Sequence, residues 1–116
     1  MENDIQVTKE TLIDEVKKFR EKDARFVIAT CIDHGEKLEI IYHFDHPDEK
    51  PRLFNLRLQF SPEEEIPSIA SIYPAAALIE GEIVDFFDAK INGIPHGTLL
   101  APDSPKAPLR KKKEVK

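Results

Sequence analysis

A single cysteine, Cys31, in a chain of 116 residues leaves no internal disulfide framework and suits a reducing compartment. One thiol also falls short of the roughly four thiolates that hold an iron–sulfur cluster. Only four glycines occur, at 35, 81, 93 and 97. Their spacing matches neither a dinucleotide fingerprint nor a phosphate-cradling loop. No apolar run approaches the roughly 18–20 residues that span a bilayer, so membrane association must be indirect or peripheral. The acidic start, Met1 to Ile5, lacks a charged-then-apolar leader pattern. These absences predict one small cytoplasmic domain.

Positive charge is scarce except at one end. Residues 105–116 hold six basic side chains and one acid, a net +5, within a chain whose formal total is -5. Residues 1–104 therefore carry -10, which repels nucleic acid and excludes it as a partner. The basic tail reads either as a solubilising terminus or as a contact for an acidic partner or anionic headgroups. A second local absence is more informative. Residues 72–87 contain no lysine or arginine, yet they carry Glu80, Glu82 and Asp85 together with Phe86 and Phe87. Such a segment is a poor isolated surface helix, and it points to another protein that supplies counter-charge and covers the rings.

Periodicity supplies the architecture. Thr8 is an expected N-cap, with Val7 stapling onto Leu12, and Leu12, Ile13, Val16 and Phe19 recur at helical spacing. A helix is expected over 9–21. Residues 25–32 are dense in apolar and β-branched types and predict a strand covered on both faces. A turn about Gly35 leads to a strand over 38–44, with Leu38, Ile40, Tyr42 and Phe44 on one face. A second turn at 46–51 leads to a strand over 52–60, with Phe54, Leu56, Leu58 and Phe60 on one face. Short connections make these an antiparallel meander, alone or within a larger mixed sheet, covered by the first helix. Pro67 suits a short helical turn through Ile72, and Pro74 opens a second helix that ends near Phe87. The expected fold class is α+β, with residues 1–92 as the domain and 93–116 as an extended, proline-spaced arm.

The chemical constellations are weak. Cys31 with His34, and His43 with His46, have ligand-like spacing for a metal. In a hairpin about Gly35 the two pairs lie about 20 Å apart, at about 3.3 Å per strand residue. Cys31 has no glycine-rich elbow or oxyanion turn to make it a nucleophile, so it reads as a small buried thiol beside Val27 and Ala29. On a helical wheel Glu82 and Asp85 lie about 60° apart beside Leu78, with Glu80 well away from both. That pair suits either a solvated face or arginines and lysines of a partner. A small hydrolase using Glu82 and Asp85 is the third reading, and it needs a cleft the fold scarcely provides.

The run from Ile72 to Phe87 resembles the signature helix of the 30-kilodalton subunit of respiratory complex I. The homologous subunit of energy-converting, membrane-bound nickel–iron hydrogenases is similar to it. The family pattern reads W-P-A-A-x-W-x-E-R-E-x-x-D-M-F-G, then G-H-P, L-L-P-x-D and P-L-R-K-D-[YF]. This chain has Pro74, Ala75, Ala76, Glu80, Glu82, Asp85 and Phe87 in register, then Leu99, Leu100, Pro102 and Asp103, then Pro108, Leu109, Arg110 and Lys111. It departs where Tyr73 and Leu78 replace tryptophans, Gly81 replaces arginine and Asp88 replaces glycine. The G-H-P turn is scrambled over 93–97, which leaves His96 without a family counterpart.

The resemblance implies a structural subunit with no catalytic residue, cofactor or metal of its own. It favours the hydrogenase type, with the 30-kilodalton subunit of an NADH- or ferredoxin-quinone oxidoreductase (complex I) as the alternative. It implies a place on the cytoplasmic face of the membrane, docked on a large catalytic subunit (hydrogenase-type or 49-kilodalton-type) and beside a cluster-bearing small subunit. The expected partner contacts are Glu80, Glu82, Asp85, Phe86 and Phe87 on the helix, with Leu109, Arg110 and Lys111 anchoring the arm. A free-standing protein-binding module is the alternative from another class.

Overall fold

The computed structural model of the chain describes residues 4–49 and 52–94. A four-stranded sheet forms their centre, in the order β1 (Asp4–Val7), β4 (Leu53–Phe60), β3 (Leu38–Asp45), β2 (Arg25–Asp33). The meander is present: β2 and β3 pair antiparallel about the Gly35 turn, and β3 pairs antiparallel with β4. Gly35 adopts φ 98°, a conformation glycine takes without steric cost. The sheet is also larger and mixed, because β1 joins the free edge of β4 in parallel, with Ile5 opposite Leu56 and Val7 opposite Leu58.

Alternation along each strand gives the sheet two unlike faces. Leu38, Ile40, Tyr42 and Phe44 of β3 and Leu56, Leu58 and Phe60 of β4 lie on the inner face, all essentially buried. The first helix, α1 (Leu12–Glu21), turns Leu12, Val16 and Phe19 onto that face. Phe19 meets Phe44 at 4.8 Å and the His46 ring at 4.9 Å between centroids. Phe26 and Tyr73 extend the aromatic cluster around Phe44, at 5.8 and 5.3 Å. Offset and edge-on pairs of this kind add to plain area burial.

Three local expectations change. Regular α1 begins at Leu12, one turn later than the Thr8 cap implies. Thr8 still closes the preceding turn: its carbonyl accepts from the Leu12 N–H at 2.9 Å, and Thr11 Oγ1 accepts from the Thr8 N–H at 2.9 Å. Val7 is held in β1 instead, opposite Leu58. Strand β2 is a sheet edge and is not covered on both faces; Val27 and Ile28 are 52% and 48% exposed. Its register slips between Phe26 and Ile28, which marks a bulge of the kind that blunts an edge. Cys31 is accordingly half-buried, with an exposed Val27 on the same strand.

After β4 the chain makes a two-residue strand, β5 (Glu65–Ile66), that pairs in parallel with β6 (Lys90–Ile91). Between them a turn at Ile69, whose carbonyl accepts from the Ile72 and Tyr73 N–H groups, leads to helix α2 (Ala76–Phe87). Asp88, left-handed at φ 57°, closes it by donating its N–H to the Val84 carbonyl at 2.9 Å. The β5–β6 clasp thus ties the entry and exit of this excursion together. The arm over 95–116 lies outside the described residues.

Burial separates two leucines by their role. Leu12→Ala should cost about 2–4 kcal/mol in urea unfolding of the purified chain, because it opens a cavity under α1. Leu78, 58% exposed on α2, should cost less than about 0.5 kcal/mol when changed to alanine. Equal costs would show that α2 is packed differently.

Candidate functional site

Helix α2 is buried over most of its circumference. Ala76, Glu80, Gly81, Ile83, Val84 and Asp85 are all buried, while Ala77, Leu78 and Glu82 face outward. The expected acidic surface is therefore split. Glu80 is 0% exposed and Asp85 1%, so neither carboxylate is available to a partner on this face, and both are corrected to interior positions. Glu82 is exposed, and Phe86 and Phe87 are half-buried, Phe87 packing against the core. Leu109, Arg110 and Lys111 lie outside the described residues.

Glu80 is the most constrained of these side chains. Its Oε2 accepts from the Tyr42 hydroxyl and from the Ile69 N–H, each at 3.0 Å, and its Oε1 accepts from the Ser68 hydroxyl at 2.5 Å. One carboxylate thereby joins α2 to the central strand β3 and to the turn that precedes the helix. Burial pushes its pKa above the ordinary 4.5, and the three donors pull against that without cancelling it. The same carboxylate helps push the buried Tyr42 phenol upward, after burial itself. The wheel did contain a signal for this. Glu80 sits four residues from both Ala76 and Val84, in the middle of the stripe that faces inward, and an acid placed there calls for buried donors. Which donors answer it was invisible, because Tyr42 and Ser68 are 38 and 12 residues away in sequence.

The outer face of the sheet carries a continuous polar chain across all four strands. His43 Nδ1 lies 2.7 Å from Asn55 Oδ1, and Thr30 Oγ1 lies 3.2 Å from His43 Nε2. Asn55 donates to Asp4 at 2.6 Å, and Arg57 bridges Asp4 and Glu39, each at 3.0 Å. His34 at the hairpin tip closes the line at 2.9 Å from Glu39. A neutral His43 with its proton on Nδ1 satisfies both neighbours, since Asn55 already spends its amide on Asp4. The Asn55 bond chiefly lowers the Asp4 pKa, and Arg57 chiefly lowers that of Glu39. At the far corner Asp45 takes a bidentate grip from Arg52, at 2.9 and 2.7 Å, with Arg25 adding a contact at 3.3 Å.

The ligand-like pairs do not converge. Cys31 faces Ile40 across the hairpin, while His43 faces Ile28, three pairs further along the ladder. Among the described residues no group of three or more His, Cys, Asp or Glu is placed to hold a metal ion. None of the described helices is long and apolar enough to cross a membrane.

The fold and these interiors define a small α+β module in which helices pack on a mixed sheet and an excursion after β4 is locked by a buried acid. The family described as respiratory-chain NADH dehydrogenase, 30 Kd subunit, matches residues 5–116, and the chain belongs to that family. The C-type subunit of NADH-quinone oxidoreductase from Cereibacter sphaeroides is 33% identical over 72 residues, 60% of this chain. The chain spans 36% of that protein's length. A chain of the membrane-bound sulfane sulfur reductase, an archaeal respiratory membrane complex, has the same fold with a TM-score of 0.66 at 20% identity. The match covers 91% of this chain and 66% of the other.

The Glu80 carboxylate gives the pH dependence of folding a defined sign. Because the folded pKa of Glu80 is raised, its contribution favours folding below about pH 4.5 and is lost as pH rises through the elevated folded value. Asp4, Glu39 and Asp45 are lowered, so theirs is present above the ordinary carboxylate range and lost on acidification. Glu80→Gln keeps an acceptor for Tyr42 and Ile69 and can donate to Ser68. It should gain stability relative to the parent as pH rises from about 4 to 8. Glu80→Ala leaves the Tyr42 and Ile69 donors unanswered and should cost about 2–4 kcal/mol. A Gln variant that tracks the parent at every pH would mean that Glu80 titrates normally.

Proposed function

We propose that the chain is a non-catalytic structural subunit in the peripheral arm of a membrane-bound, ion-translocating oxidoreductase, of the energy-converting nickel–iron hydrogenase type. The carrying observation is membership of the 30 Kd subunit family over residues 5–116. The site chemistry supports it: the acids of the family motif divide between interior architecture, at Glu80 and Asp85, and one exposed carboxylate, Glu82. Glu82 and Leu78 lie four residues apart on the open side of α2, so an acid and a large apolar group point outward together. That strip, with the edges of Phe86 and Phe87, is the proposed contact with a large redox subunit. Residues 93–116, with Leu109, Arg110 and Lys111, are proposed to run over the same partner as an arm. Association with the cytoplasmic side of the membrane is then indirect, through the complex.

A second reading has its own support. The Cereibacter sphaeroides relative belongs to an NADH-quinone oxidoreductase, which favours the complex I version of the same structural role. Affinity purification of the tagged full chain from its native membranes separates the two. Nickel with iron in the recovered assembly supports the hydrogenase type, and iron with flavin supports the quinone reductase. The chain recovered alone from the soluble fraction would overturn both. In the same assay a Leu78→Ser, Glu82→Gln double variant should keep its thermal unfolding within a few degrees and lower the yield of assembly about tenfold. Undiminished yield would remove α2 from the interface.

A further inference from the structure

The open cavity at the end of α1 has a chemistry opposite to that of the chain around it. It has a volume of about 330 Å³ and is bounded by Arg20, Arg25, Phe26, Ile72, Tyr73 and Pro74. The walls are apolar and rigid: Tyr73 is pinned by donating its hydroxyl to the Ala24 carbonyl at 2.7 Å, and Pro74 follows it. Arg20 holds its guanidinium 6.0 Å from the centre of the Tyr73 ring and has no carboxylate partner among the described residues. Arg25 is 73% exposed and reaches Asp45 only at 3.3 Å, on a carboxylate that Arg52 already grips twice. One acid, Asp23, shares the rim.

Charge selects the occupant. Residues 17–25 hold five basic side chains and two acids, a net +3 inside a 1–104 body of -10. The chain's own tail is +5 and is repelled from such a place. The cavity also opens beside Ala75, from which Leu78 and Glu82 continue along the exposed side of α2. The docking strip and the cavity therefore form one continuous surface, acidic at one end and basic at the other.

We infer that this cavity receives an acidic segment of a partner subunit, in which an apolar side chain enters between Phe26, Ile72 and Pro74 and an adjacent carboxylate meets Arg20 and Arg25. Guanidinium groups bind carboxylates with several N–H donors at once, and the apolar wall excludes the water that would screen them. The inference rests on the proposed structural role and adds the chemistry and orientation of the contact.

The test uses the assembled complex. A photo-activatable benzoylphenylalanine placed at Ala75, on the cavity rim, is irradiated in the complex purified from native membranes, and the cross-linked segment is mapped by mass spectrometry. The expected product joins this chain to a segment of another subunit with an aspartate or glutamate within two residues of an apolar side chain. Arg20→Glu should reduce that product about tenfold, and changing the mapped acid to arginine in the partner should restore it. Cross-links to a basic or uncharged segment, to a second copy of this chain, to lipid, or to this chain itself would overturn the inference, as would an unchanged product with Arg20→Glu. A complex that is recovered without such a product refutes the cavity alone. Failure to recover any complex refutes the structural role and the cavity with it.

Discussion

The carboxylate of Glu80 is the constraint on which the second half of the fold depends. An ionisable group with no solvent exposure is costly to bury, and three donors from two other parts of the chain offset that cost. The bonds have a geometric consequence. Tyr42 comes from the centre of the sheet, and Ser68 and Ile69 from the turn before α2, so the helix can satisfy them in only one rotation and at one height. That rotation decides everything outward. It leaves Leu78 and Glu82 on the open side and turns Asp85 inward, away from the Glu82 to which it is adjacent on a helical wheel.

The sheet solves a related problem by separating its two faces. Aromatic and branched side chains collect on the face under α1, while acids, arginines, histidines and an asparagine link edge to edge on the other. Cross-strand polar links of this kind help specify register, because a one-residue slip would bring the acids under the helix. They also account for the hold on β1, a strand of four residues that joins the sheet through Asp4 bonds to Asn55 and Arg57 as well as through its backbone.

A module built this way presents few features that chemistry could use and several that recognition could use. The acids belonging to the family motif serve the interior more than the surface, which fits a role in holding a docking face in place. The proposed contact is bipolar: Glu82 beyond one end of an apolar strip, and Arg20 and Arg25 around a cavity at the other. Complementary charges at separated points orient a partner and discriminate against wrong ones more than they add raw affinity.

Much of this was legible in the residues. The helix of Leu12, Val16 and Phe19, the two alternating strands with their facing aromatics, the turn at Gly35 and the end of α2 at Phe87 follow from local periodicity and backbone preference. The order of Glu80, Glu82 and Asp85 after Pro74 was enough to suggest the family. Four things were not legible, and all depend on contacts between distant segments. Strand β1 is too short and too polar to announce itself, and only the free edge of β4 makes Asp4–Val7 a strand. The edge position of β2 is a matter of strand order, which composition does not encode. The β5–β6 clasp joins residues about 25 positions apart through two pairs alone. The split among the three acids was decided by Tyr42 and Ser68, since a carboxylate faces inward only where folding has gathered donors to meet it.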